Sequence, residues 1–84
     1  MYQKNPRIIE TDLPHELILL DPGTGEMFSL NDTGRRVWRA LPADSAASLA
    51  RGLEAALEVD LETAERDVRA LLDRLRDAGL IHAG

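Results

Sequence analysis

Eighty-four residues make one small domain, near the lower end of what folds alone. Hydrophobic residues are 44% of the chain but include one Trp, one Tyr and one Phe, so Leu, Val, Ile and Ala must fill the core. There is no cysteine, which excludes disulfides, thiolate metal ligands and a cysteine nucleophile. The net charge is −5, and residues 43–84 carry five Arg against nine Asp and Glu, a field that repels a phosphate backbone.

Residues 1–5 read as a loose tail, with no apolar stretch of the kind a secretory signal needs. Pro6 opens a first strand, Arg7–Thr11, with β-branched content, and Asp12-Leu13-Pro14 ends it. His15–Leu20 is a second strand, apolar on both faces over its last four residues, and so central. The aliphatic run Leu17–Leu20 is far short of the roughly 20 residues of a membrane span. Asp21-Pro22-Gly23-Thr24-Gly25 is turn chemistry, and Glu26–Leu30 forms the third strand with Phe28 and Leu30 on one face.

Asn31 or Asp32 caps a first helix whose buried face is Gly34, Val37, Trp38 and Leu41, and Pro42 ends it. Asp44 or Ser45 caps a second helix with the stripe Leu49, Leu53, Ala56 and Leu57, and Gly52 is expected at a close helix contact. A third helix over residues 61–78 buries Leu61, Ala64, Val68, Leu71, Leu75 and Ala78, with Gly79 as its stop and Leu80-Ile81 as an extended end. The order β-β-β-α-α-α predicts an α+β fold. It is winged helix-turn-helix-like, a three-stranded antiparallel sheet followed by three helices.

Catalytic chemistry finds no footing. His15 and His82 are the two histidines, without metal-ligand spacing, and Ser29, Ser45 and Ser48 have no base beside them. The Gly23-Thr24-Gly25 turn lacks the length and lysine of a phosphate loop and joins two strands. The expectation is a non-enzymatic, soluble, cytoplasmic protein without cofactor or metal. Trp38 shares the phase of Val37 and Leu41 and reads as core.

Two features point instead to binding. The third strand is short, ends the strand order, and has only Glu26 to guard its open side against pairing with another chain. Its residues Glu26, Met27, Phe28, Ser29 and Leu30 are therefore candidate peptide-pairing residues. The second feature lies on the third helix. At about 100° per residue, Thr63, Asp67, Ala70 and Arg74 fall on a flank at about −40° to −100° from Leu71, beside the core stripe. Asp67 has no Arg three or four residues away. A groove between strand and flank would have an apolar floor, one acid and one base, lined by Asp67, Ala70, Leu71 and Arg74.

The run Asp21-Pro22-Gly23-Thr24-Gly25-Glu26-Met27-Phe28-Ser29-Leu30-Asn31-Asp32-Thr33-Gly34, with Val37-Trp38, Leu41, Asp67-Val68, Leu71-Leu72, Leu75 and Ala78-Gly79-Leu80-Ile81, resembles the PqqD-like proteins. The resemblance spans about residues 5–82, the expected ordered core of a single recognition domain over residues 1–84. It implies a recognition element for ribosomally made, modified peptides, which binds the leader segment of a precursor peptide by β-strand addition to the third strand, against the third helix. Leu30, Asn31, Gly34 and Trp38 look most like the stand-alone proteins of lasso-peptide clusters. Those present the precursor to a separate cysteine-protease-like leader peptidase, and an asparagine-synthetase-like cyclase closes the ring. The alternatives are a PqqD-type chaperone for a quinone cofactor precursor, a DNA-binding winged helix reading through its third helix, or a scaffold that self-pairs through its open edge. That helix carries five Asp and Glu against four Arg, which disfavours DNA.

Overall fold

The apolar positions of three strands and three helices converge on a single core in the computed structural model, which describes residues 1–83. The elements are β1 (Tyr2–Lys4), β2 (Ile9–Asp12), β3 (Leu17–Leu20), β4 (Met27–Leu30), α1 (Asp32–Arg39), α2 (Ala46–Leu57), α3 (Leu61–Asp77) and β5 (Ile81–Ala83). The β2-β3-β4 meander is antiparallel throughout, with β3 in the centre. The fold is thus α+β, with a three-stranded antiparallel sheet and three helices. Leu17 and Leu19 of β3 are fully buried, and Phe28 and Leu30 of β4 share their face.

The residues 1–5 tail is not loose over Tyr2–Lys4. These residues pair antiparallel with β5, Tyr2 opposite Ala83 and Lys4 opposite Ile81, in a separate two-stranded ribbon. Tyr2 also exchanges backbone hydrogen bonds with Ala43, at 2.7 and 3.0 Å. The extended end at Leu80-Ile81 exists because it has this partner.

The helix starts follow capping chemistry. Asn31 Oδ1 accepts from Gly34 N–H at 2.9 Å, Ser45 Oγ from Ser48 N–H at 3.1 Å, and Asp60 Oδ2 from Thr63 N–H at 3.1 Å. At the end of α3, Gly79 has φ +76°. Leu80 N–H donates to Leu75 C=O at 2.9 Å and Gly79 N–H to Arg76 C=O at 3.0 Å, the paired bonds of a Schellman stop. The stop of α2 is different: Glu58 holds φ +54°, left-handed backbone without glycine. Helix α1 ends at Arg39, before Pro42 is reached.

Trp38 is the largest fully buried side chain, with Lys4 Nζ at 5.2 Å from its ring centroid. Its indole N–H has no hydrogen-bond partner among the described residues, so Trp38 serves the core through its area rather than its polar atom. Gly52 is not at a close contact, as a Cβ there would meet nothing within 4 Å. The tight glycine is Gly34, whose Cβ would stand 3.2 Å from both Cβ and Cδ2 of Leu30. That approach presses the first turn of α1 onto the end of β4.

No helix among the described residues is long and apolar enough to cross a membrane.

Candidate functional site

The site begins with the phase of the β-ladder. Asp21 N–H donates to Glu26 C=O at 3.0 Å, just beyond the β3–β4 pairs. In an antiparallel ladder such bonded pairs recur at every second residue. The bonded pairs are therefore Leu19 with Phe28 and Leu17 with Leu30. The backbone N–H and C=O of Met27 and Ser29 consequently point away from β3. Among the described residues nothing follows β4 in the sheet, so these four groups form an open edge.

The turn before β4 is held by its own atoms. Asp21 Oδ1 accepts from Gly23 N–H at 2.9 Å, Asp21 C=O accepts from Gly25 N–H at 2.7 Å, and Gly25 takes φ +77°. The strand that emerges is thereby fixed in register before the capped start of α1 closes its other end.

The sheet has a second edge, at β2, and it is guarded. Leu13 N–H donates to Glu16 C=O at 2.8 Å, which puts the same alternation on β2–β3 and turns Glu10 and Asp12 outward. Both are acids engaged elsewhere. Glu10 lies 4.0 Å from Lys4 Nζ, and Asp12 binds Arg35 at 3.0 Å and Arg39 at 2.5 Å. The Arg35 hydrogen bond, aided by Arg39, holds the Asp12 carboxyl below its ordinary range. Charges at an edge discourage further pairing, and β4 has none within Met27–Leu30.

Beside the open edge runs a groove of about 560 Å³ between β4 and α3. Ser29 and Leu30 form one wall, and Asp67, Ala70, Leu71 and Arg74 the other. Of the flank that the helical wheel picks out, Asp67, Ala70 and Arg74 face the strand, and Thr63 does not line the groove. Leu71 is also a core residue, 7% exposed, so it forms the floor of the groove rather than a projecting contact. Met27 and Phe28 lie on the same strand outside the groove, Met27 exposed and Phe28 half-buried against the core. Glu26 precedes the strand by one residue.

Sequence reasoning missed the end walls: His15 and Glu16 before β3, and Asn31, Thr33 and Gly34 at the start of α1. Glu16 Oε2 accepts from Ser29 Oγ at 2.6 Å, linking β4 to the strand entry. The signal was available in the pairing, since Glu16 lies two residues before Ile18, the register partner of Ser29. Neither Asp67 nor Arg74 has an ion-pair partner among the described residues, in contrast to Arg69, which Glu65 holds at 2.6 Å. An acid and a base without partners therefore stand on one wall of an apolar-floored slot, next to an open strand edge. That arrangement can take an extended peptide by main-chain pairing and sort it by side chain.

This combination of meander, three helices and strand-to-helix slot is that of a known class of small proteins. Residues 16–81 match the family Coenzyme PQQ synthesis protein D (PqqD), and the chain belongs to that family. Two solved structures match nearly the whole chain. One is TbiB1 in complex with the TbiA(beta) leader peptide, 26% identical, with a TM-score of 0.86 over 98% of this chain and 96% of that one. The other is lasso peptide synthetase B1 complexed with the leader peptide, 32% identical, with a TM-score of 0.83 over 98% of each chain. A comparison with curated protein sequences gives no significant match.

Proposed function

We propose that this protein is a leader-peptide recognition element, a single non-catalytic domain that acts in lasso-peptide biosynthesis in the cytoplasm. The observation that carries the reading is the meeting of an open strand edge with the β4–α3 groove, in a fold whose matched structures are both leader-peptide complexes. The leader adds as a fourth strand on Met27 and Ser29. Its side chains on one face enter the slot over Leu30, Ala70 and Leu71, with Asp67 and Arg74 selecting charge. The bound precursor is then delivered to a separate cysteine-protease-like leader peptidase and to the asparagine-synthetase-like cyclase.

The energetics set a condition on this role. Four main-chain hydrogen bonds at a net ~1 kcal/mol each and two apolar anchors at ~2 kcal/mol each give ~8 kcal/mol before ordering costs. Ordering a disordered leader removes about 2–5 kcal/mol. Binding in the micromolar range then needs well-filled anchor pockets, or more paired backbone than these two residues supply.

The test is to look for a short precursor encoded beside this protein and to measure the fluorescence anisotropy of its labelled leader peptide. Saturable binding that Ala70→Glu weakens, with His82→Ala unchanged, supports the reading. His82 lies on β5 and lines no part of the groove. A leader that stays free at high micromolar protein sinks it.

A further inference from the structure

A second cavity, about 760 Å³, lies between α1 and α2 and shares no lining residue with the β4–α3 groove. Its floor comes from α2: Leu49, Leu53 and Ala56 at helical spacing, with Leu57 at the end. Gly52 opens the middle of that floor, because a Cβ there would meet no atom of the described residues within 4 Å. The opposite wall is α1, with Arg35, Arg36 and Arg39.

Three guanidinium groups thus face two carboxylates. Asp12 binds Arg35 and Arg39, Asp32 binds Arg35, and Arg36 has no carboxylate partner among the described residues. This wall is positive on a chain whose net charge is −5. An apolar seam between two helices with one cationic wall has the chemistry of a helix-in-groove site for an acidic amphipathic helix. Anchors would meet Ala56 and Leu57 across the Gly52 gap, over Leu49 and Leu53, which are core residues 5% and 4% exposed, with a carboxylate toward Arg36.

We propose that the α1–α2 groove is a second docking surface, which takes an acidic amphipathic helix of a partner protein while the first groove holds its peptide. Simultaneous occupancy rests on the leader-binding reading; the helix site itself does not. Because the two grooves lie on opposite flanks of α1, a processing partner can engage the domain without displacing the leader.

The experiment uses the full chain, isotope-labelled for NMR, with and without unlabelled leader. The probe is a stapled helical peptide with Leu at i, i+4 and i+7 and Glu on its flanks; its counterpart carries Lys in place of Glu. The expected result is saturable shifts at the amides of Arg36, Gly52 and Leu57 with the Glu probe only, the same with leader bound. Arg36→Glu weakens the probe about five-fold, as loss and reversal of an exposed charge pair predicts. Gly52→Leu, which places a side chain in open space without disturbing the fold, removes binding. Shifts confined to Ser29 and Ala70, equal binding of the Lys probe, indifference to Arg36→Glu, no saturation at ~1 mM, or a doubled mass showing a second copy in the groove each overturn the proposal. If the leader alone fails to bind while the probe behaves as expected, the leader reading falls and the helix site stands.

Discussion

Replacing Ser29 by proline tests the open edge directly. The ladder phase turns the N–H of Ser29 away from β3, so proline at this position deletes no bond of the native sheet. Proline is tolerated on an edge strand when its missing N–H faces outward. An added leader strand, however, loses one hydrogen bond worth ~1 kcal/mol, and its own carbonyl is left buried without a donor at a further cost of about 1–2 kcal/mol. The sum, about 2–3 kcal/mol, raises Kd roughly 30- to 150-fold. Anisotropy against the labelled leader reads the loss, and circular dichroism melting reads the fold. Ser29→Ala is the control, since it removes the 2.6 Å bond to Glu16 but keeps the N–H. Phe28→Pro is the converse, deleting a β3–β4 bond, and should unfold the sheet. A Ser29→Pro variant that binds leader like the parent, or one that unfolds like Phe28→Pro, would refute the reasoning.

Three further outcomes follow from the geometry. Gly34→Val should destabilise by about 1–3 kcal/mol in urea titration, because the new Cβ meets Leu30 at 3.2 Å, and leader affinity should fall with it because Leu30 lines the groove. Glu58→Gly should raise stability by about 0.5–1 kcal/mol, relieving a left-handed residue at φ +54°; an unchanged or lower urea midpoint would count against strain at that stop. Asp12, whose carboxyl Arg35 and Arg39 depress, contributes stability that is present above the ordinary carboxylate pKa of about 3.9 and is lost as pH falls through its lower folded value. Asp12→Asn should therefore melt below the parent at neutral pH and approach it as acid takes the pH below the ordinary carboxylate range, and a gap that does not narrow with acid would contradict the assignment.

The elements with strong local signals were legible without coordinates. Phe28 and Leu30 alternate, the caps at Asn31 and Ser45 were each one of two adjacent candidates, and Gly79 stops α3, whereas the cap Asp60 reads in the sequence only as part of a connector. The α3 wall of the groove was legible because 100° per residue is a property of any helix. What escaped depends on partners far away in the chain. Tyr2-Gln3-Lys4 has no periodicity of its own and becomes a strand because Ile81–Ala83 lies beside it. Gly52 was assigned to a contact because glycine in a helix often marks one, whereas here it leaves a gap. His15 and Glu16 stand at a strand entry, where the sequence shows only polarity and the neighbour across the sheet decides what they line.

The β1–β5 ribbon has a topological consequence. Tyr2 and Ala83 are direct cross-strand partners, so the first and last strands of the described fold lie side by side, and neither lines either groove. A domain of this shape can be spliced into another protein through two adjacent points while both working surfaces stay clear. By the same adjacency, its ends can be joined and new ones opened at the exposed Glu58–Asp60 connector, giving a permuted chain with the slot intact.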